Sequence, residues 1–329
     1  FLKDDLNSYT RTLTHEFYSQ DQIDVIFCGA SHVSLVIDPR LSAKRFNQNT
    51  FNTGTPSQGI NGTYAIIKQA IKEYDIQTIF LETDFAVACR NISEKKMGTS
   101  DFLVESFLKD PAVKAQFIFE NSSPSNILNA VLPIGKDKLL TLNPKKILKK
   151  IKSLITKEYF DYSFGDDEAG YAGKGCVLDY EKIENGSFSN YYQEADFSPI
   201  SDSWKFYIEK IIQICKENDV NLIFYSMPCS DFYLNEKGDY DKFYFEIKNY
   251  LNGLGFEYFD FNLCKKEYLD LQDEDFSDDN HLNITGVEKF TNAFCNFFTD
   301  SISSETLFYS SYNEKMEKLP PTCFGLVCI

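Results

Sequence analysis

Four short apolar runs constrain the fold of this chain more than any other feature. They are Ile23-Asp24-Val25-Ile26-Phe27-Cys28, Thr78-Ile79-Phe80-Leu81, Asn221-Leu222-Ile223-Phe224-Tyr225-Ser226 and Phe256-Glu257-Tyr258-Phe259-Asp260-Phe261. The last three each follow a stretch of helical periodicity, at about Tyr64 to Tyr74, Trp204 to Asn218 and Phe243 to Leu251. Nearly continuous apolar strands that alternate with helices predict an α/β fold whose parallel sheet is covered on both faces. Ligands of such sheets bind outside the carboxyl ends of the strands.

Residues from about 90 to 200 break this rhythm. They hold the polar stretch Glu120 to Ser125, a glycine-rich acidic segment from Gly165 to Gly175, and the lysine-rich run from Asn143 to Ile155. We read them as an insertion within a single domain spanning 1–329, which ends in a short extension from about 304 to 329. In the lysine-rich run, Ile147, Ile151, Leu154 and Ile155 share one helical face, and Asn143 and Pro144 are good starting residues. A solvated surface helix is the favoured reading, and contact with an anionic membrane surface is the alternative.

Composition narrows the classes. The net charge of −16 argues against a nucleic-acid partner, which would need a basic face. No run of 18 apolar residues occurs, as a membrane-spanning helix would require. The chain opens at Phe1 without a Met, which leaves room for membrane association through an upstream anchor. Its nine cysteines include no C-x-x-C pair, so no zinc or redox motif is expected. Cys28, Cys215 and Cys295 read as small buried hydrophobes, and only Cys323 and Cys328 are placed for a local disulfide. So many thiols fit a reducing compartment, such as the cytoplasm. The aromatic share of 16% reads first as core anchors and second as the lining of a sugar-binding groove.

Two segments carry chemistry. In Phe27-Cys28-Gly29-Ala30-Ser31-His32-Val33 a strand ends at a glycine and a serine opens a helix. That places the Ser31 hydroxyl at the carboxyl edge, beside N–H groups able to stabilise an oxyanion. Alone, such a serine is more often a helix cap. The second segment is Phe276-Ser277-Asp278-Asp279-Asn280-His281-Leu282, which holds one of only three histidines. It precedes a helix expected to start with a Thr285–Glu288 capping box and to bury Val287, Phe290, Phe294 and Phe298. Asp278 is spaced to accept from one ring nitrogen of His281 and so fix its tautomer. The crowded carboxylates Asp273, Glu274, Asp275 and Asp279 read as a solvated loop, with a cation site as a minor alternative.

Together these segments resemble the SGNH (GDSL-type) hydrolase superfamily. There a Gly-x-Ser block supplies the nucleophile and a late Asp-x-x-His block supplies the rest of a triad. Ser31, Asp278 and His281 match those blocks in order. Phe51-Asn52-Thr53-Gly54-Thr55-Pro56-Ser57 resembles the second block, whose glycine helps to form the oxyanion hole, so Gly54 is its counterpart. One block departs: Leu81-Glu82-Thr83-Asp84-Phe85 stands where the family carries Gly-x-Asn-Asp, and the Asn donor is missing. The whole is similar to a divergent branch that includes the teichoic acid D-alanyl transfer protein and polysaccharide O-acetyltransferases.

The resemblance implies a three-layer α/β/α sandwich with a parallel flavodoxin-like sheet. It implies catalysis by Ser31, His281 and Asp278, an oxyanion hole from the N–H groups of Ser31 and Gly54, and no cofactor or metal. The implied activity is esterase or O-acyltransferase chemistry on a cell-surface glycan or similar acylated substrate, which sets the location against the cysteine count. The alternative is a catalytically silent protein of carbohydrate binding or envelope assembly. A nucleotide binder is disfavoured, since neither G-x-G-x-x-G nor a Walker sequence follows the first strand. His32 is expected to face away from the site. Tyr159, Phe160, Tyr162 and Phe164 are expected either to line an acceptor groove or to form core within the insertion.

Overall fold

The computed structural model describes residues 5–6, 8–92, 97–124, 127, 141–165, 169–183, 199–236, 238–300 and 302–318. Its centre is a five-stranded parallel sheet made of β1 (Val25–Cys28), β2 (Thr50–Asn52), β3 (Thr78–Glu82), β6 (Asn221–Ser226) and β7 (Tyr258–Asp260). The order β2-β1-β3-β6-β7 is that of flavodoxin-like doubly wound sheets, with the chain reversing its direction of travel between β1 and β3. A two-stranded antiparallel hairpin, β4 (Ala169–Gly173) and β5 (Cys176–Asp179), stands apart from it.

Alternation along each strand builds two cores. Ile26 and Cys28 of β1, Ile79 and Leu81 of β3, and Leu222 and Phe224 of β6 face one side. There they meet the helices Tyr9–Phe17, Ile60–Glu73 and Asp202–Glu217. Val25 and Phe27, Phe80, and Tyr225 face the other side, against the helices Ser31–Val36 and Ile284–Thr299. Both faces of β1, β3 and β6 thus meet a helix layer, which is why these strands read as nearly unbroken apolar runs. Phe294 centres the second core, its ring 5.0 Å from Phe80 and 5.2 Å from Tyr225.

Residues expected to interrupt the sheet return to it. Cys176 and Leu178 of β5 join Val33 and Val36 in the second core, behind the helix that Ser31 opens. The hairpin turn is tied to β2, since Asn52 N donates to Lys174 O at 2.9 Å. The lysine-rich helix forms at Pro144–Ile155, capped by the Asn143 side chain with Pro at its first turn. Among the described residues no helix is long and apolar enough to cross a membrane. No disulfide joins any of the seven described cysteines, and burial pushes the thiols of Cys28 and Cys215 up to about 12. The suggested Cys323–Cys328 pair lies outside the described residues.

Candidate active site

Ser31 is the first residue of its helix, and Ala30 holds the cap position without a side-chain bond, so the hydroxyl is not spent on capping. Its Oγ lies 3.1 Å from His281 Nε2. On the far side of the ring, His281 Nδ1 is 2.7 Å from Asp278 Oδ2. An ionised carboxylate only accepts, so Nδ1 carries the proton and Nε2 is free to accept from the Ser31 hydroxyl. Burial works to raise the Asp278 carboxyl. The His281 hydrogen bond and charge, with the N–H groups of Asn280 and His281, outweigh it and hold the carboxyl below its ordinary range.

The loop carrying His281 is fastened at several points. Asp278 Oδ1 accepts from Asn280 N at 2.9 Å and from His281 N at 2.7 Å, a local turn that Asp favours. Ser277 N returns to His281 O at 3.0 Å, and Phe276 bridges Leu282. Ser230, beyond the end of β6, donates through its hydroxyl to Asp279 O at 2.6 Å. The following helix starts at Ile284 rather than at the expected Thr285–Glu288 box. Asn283 caps it, accepting from Thr285 N at 3.0 Å and Gly286 N at 3.2 Å. Its amide also donates to Glu274 O and Phe276 O, so this Asn joins loop and helix in a way that Thr285 cannot.

Gly54 approaches Ser31's helix so closely that a Cβ there would stand 2.2 Å from Ala30 O. Only glycine fits, and among the described residues neither its N–H nor that of Ser31 has a hydrogen-bond acceptor. Asn52 secures this geometry from below, donating to Val33 O at 2.7 Å and Ile37 O at 2.9 Å. The departing block supplies no amide donor. Glu82 turns inward, the Thr83 hydroxyl binds Tyr225 O at 3.1 Å, and Asp84 caps Ala86 N at 3.0 Å.

His32 does not face away. Its ring packs edge to face with His281, centroids 5.0 Å apart, and its Nδ1 lies 2.9 Å from Glu82 Oε1. Both partners are buried. Burial would lower the His32 ring, but the charge and hydrogen bond of Glu82 dominate and raise it to about 9, helped by Asp84 and Asp278. The pairing escaped the sequence reading because Glu82 sits on another strand. Its one signal was a carboxylate ending a strand otherwise apolar. Gly29 makes room for it: a Cβ there would meet Glu82 Oε2 at 2.6 Å.

The four aromatic candidates separate. Tyr159 and Tyr162 flank the Arg11 guanidinium at 4.3 and 4.8 Å, and Tyr162 stacks on His15 at 3.5 Å. Phe164 meets Tyr9 at 6.0 Å, and Phe160 is exposed. Among the described residues no group of three His, Cys, Asp or Glu side chains converges for a metal. Asp275 is engaged instead by Lys289 Nζ at 2.6 Å.

No family model matches the chain. No curated protein matches it either. Among solved structures, a protein from Bacteroides fragilis provisionally described as an acylhydrolase is similar over 91% of this chain and 97% of its own, with 9% identity and a TM-score of 0.36. At so loose a likeness, the chemistry rests on the site alone.

Proposed function

We propose that the protein is a serine-dependent acyl-transfer enzyme, an esterase or O-acyltransferase. The observation that carries this reading is the unbroken relay from Ser31 through His281 to Asp278, at 3.1 and 2.7 Å. Ser31 Oγ attacks an ester carbonyl carbon as its proton passes to His281 Nε2. The alkoxide leaving group takes that proton, and an acyl group stays on Ser31. Water or a second hydroxyl, deprotonated by His281, then releases it. Asp278 remains ionised throughout, and the N–H groups of Ser31 and Gly54 receive the oxyanion. With no amide donor from residues 82–84, turnover is slower by about 10²–10³ than in a complete hole.

The acceptor favoured by this reading is a glycan hydroxyl, at a cell surface. A hollow of about 240 Å³ has Arg11, His15 and Tyr162 in its wall, with the hydroxyl-bearing Ser8, Thr10 and Thr14. Its wall includes none of Ser31, His281 and Asp278, and Asp5 and Lys109 add charge to it. Rings and hydroxyls of this kind suit a sugar. The missing donor favours a second reading, a silent carbohydrate-binding protein.

A fluorophosphonate probe separates the two. It is expected to label Ser31 in the wild type and neither Ser31→Ala nor His281→Ala. A wild type that stays unlabelled would leave the silent protein standing. Activated acyl esters, given with and without short glycans, then distinguish transfer from hydrolysis by whether acylated glycan forms.

A further inference from the structure

The helix Pro144–Ile155 covers only part of its apolar stripe: Ile147, Ile151 and Leu154 are half-buried. It meets the body through a polar edge: Lys150 Nζ lies 2.5 Å from Asp5 Oδ1, and Ser153 is buried beside it. The outer edge of that stripe is left outside, with Leu148 66% and Ile155 77% exposed. Leu142 before the helix is 82% exposed, and Phe160 after it 55%. Single exposed apolar residues need no explanation, but Leu148 and Ile155 lie two turns apart on one helix edge, and an apolar edge rimmed by polar groups can mark an interaction site.

The rim is uniformly cationic. Residues 141–157 contain six lysines and no Asp or Glu, in a chain with 49 acidic residues and a net charge of −16. Among the described residues, Lys145, Lys149, Lys152 and Lys157 make no ion pair. Lys145, Lys149 and Lys152 project beside Leu148 and Ile155 on the free side of the helix. An apolar edge bordered by lysines suits a helix lying in a lipid interface, where acyl chains take the apolar edge and phosphates the ammonium groups.

We propose that this helix docks the protein on an anionic membrane surface. A second copy of the chain fits less well, because a two-fold contact through this face sets lysines against the same lysines. A nucleic acid would satisfy the lysines and leave Leu148 and Ile155 in water. The attachment to the body is firm enough to orient the whole molecule. Asp5 also accepts from Tyr159 Oη at 3.0 Å, and the Tyr159 ring covers Arg11 of the helix whose first residue reaches Ser34. Docking through Pro144–Ile155 therefore holds the edge bearing Ser31 at a fixed attitude to the lipid.

The experiment is co-sedimentation of the full chain with phosphatidylcholine vesicles, with and without phosphatidylglycerol. Binding is expected only to the anionic vesicles and is expected to weaken as salt rises. The variants Leu148→Asp/Ile155→Asp and Lys145→Glu/Lys149→Glu/Lys152→Glu are each expected to lose at least ~10-fold in binding, with unchanged thermal unfolding. No binding, or binding indifferent to both variants, overturns the proposal. So does a dimer in light scattering that the aspartate variant dissociates, which assigns the face to a second copy. A marked loss of thermal stability in that variant also overturns it, because the face is then covered by the chain itself. Tighter binding to duplex DNA than to the vesicles does the same for a nucleic acid.

Discussion

Asp278 does two jobs with two oxygens, and this makes one substitution informative. Oδ1 holds the loop through the N–H groups of Asn280 and His281, while Oδ2 faces His281 Nδ1. In Asp278→Asn the amide oxygen keeps the loop bonds, and the new NH2 group faces Nδ1. The ring then carries its proton on Nε2 and cannot accept from Ser31. The loop geometry is expected to persist while the rate of acyl-enzyme formation falls by about 10⁴, as tautomer reversal does in serine hydrolases. Stopped-flow measurement of the acylation burst in the two proteins checks this. A variant that acylates at the wild-type rate would show that Asp278 orients nothing. Gly54 and Ser31 were readable as residues because their sequence neighbours are distinctive. The His32–Glu82 contact was not, because it joins residues 50 apart in sequence on two elements.

Elements with a strong period were legible, and short ones held by tertiary contacts were not. The runs ending at Cys28, Leu81 and Ser226 became β1, β3 and β6, and the helix expected from Trp204 to Asn218 is Asp202–Glu217. β2 escaped because Thr50-Phe51-Asn52 is three residues long at the sheet's edge. The helix Tyr9–Phe17 escaped because it carries three threonines, poor helix formers, and is held by burial of Leu13 and Phe17. The hairpin β4–β5 hid in a glycine-rich stretch that lacks strand composition. The Asn283 cap outcompeted a plausible capping box because it also satisfies two loop carbonyls. Asn283→Ala should therefore cost more than the ~1 kcal/mol of an ordinary cap, reaching about 2–3 kcal/mol once buried carbonyls lose their donor. It should also slow acylation, since His281 rides on the loop that Asn283 anchors. Urea unfolding and the burst rate measure the two effects on one protein. A full-cost loss of stability with unchanged acylation would mean that the loop holds His281 without its cap.

At the scale of the whole molecule, a doubly wound sheet leaves its strand ends as the one place where polar groups from several elements converge. Here the convergence includes a buried acid–base pair, His32 with Glu82. Such a pair makes the stability of the entire fold depend on pH. His32 is raised from an unfolded value of 6.5 to about 9, because the charge of Glu82 overcomes burial. Between those values the folded protein binds a proton that the unfolded chain has released, so stability falls as pH rises. The contribution is fully present below pH ~6.5 and lost through pH ~9, and is on the order of 3 kcal/mol. Glu82 is also raised, chiefly by burial against the opposing pull of His32, and a raised carboxyl moves stability in the same direction with pH. Urea denaturation across this range should show the decline in the wild type. A double variant, His32→Gln with Glu82→Gln, keeps a hydrogen-bonding pair of similar size without titrating, and its stability should be flatter over the same window. Parallel pH curves for the two proteins would place the titration elsewhere. A flatter curve would tie the stability of the whole fold to the two residues beneath His281.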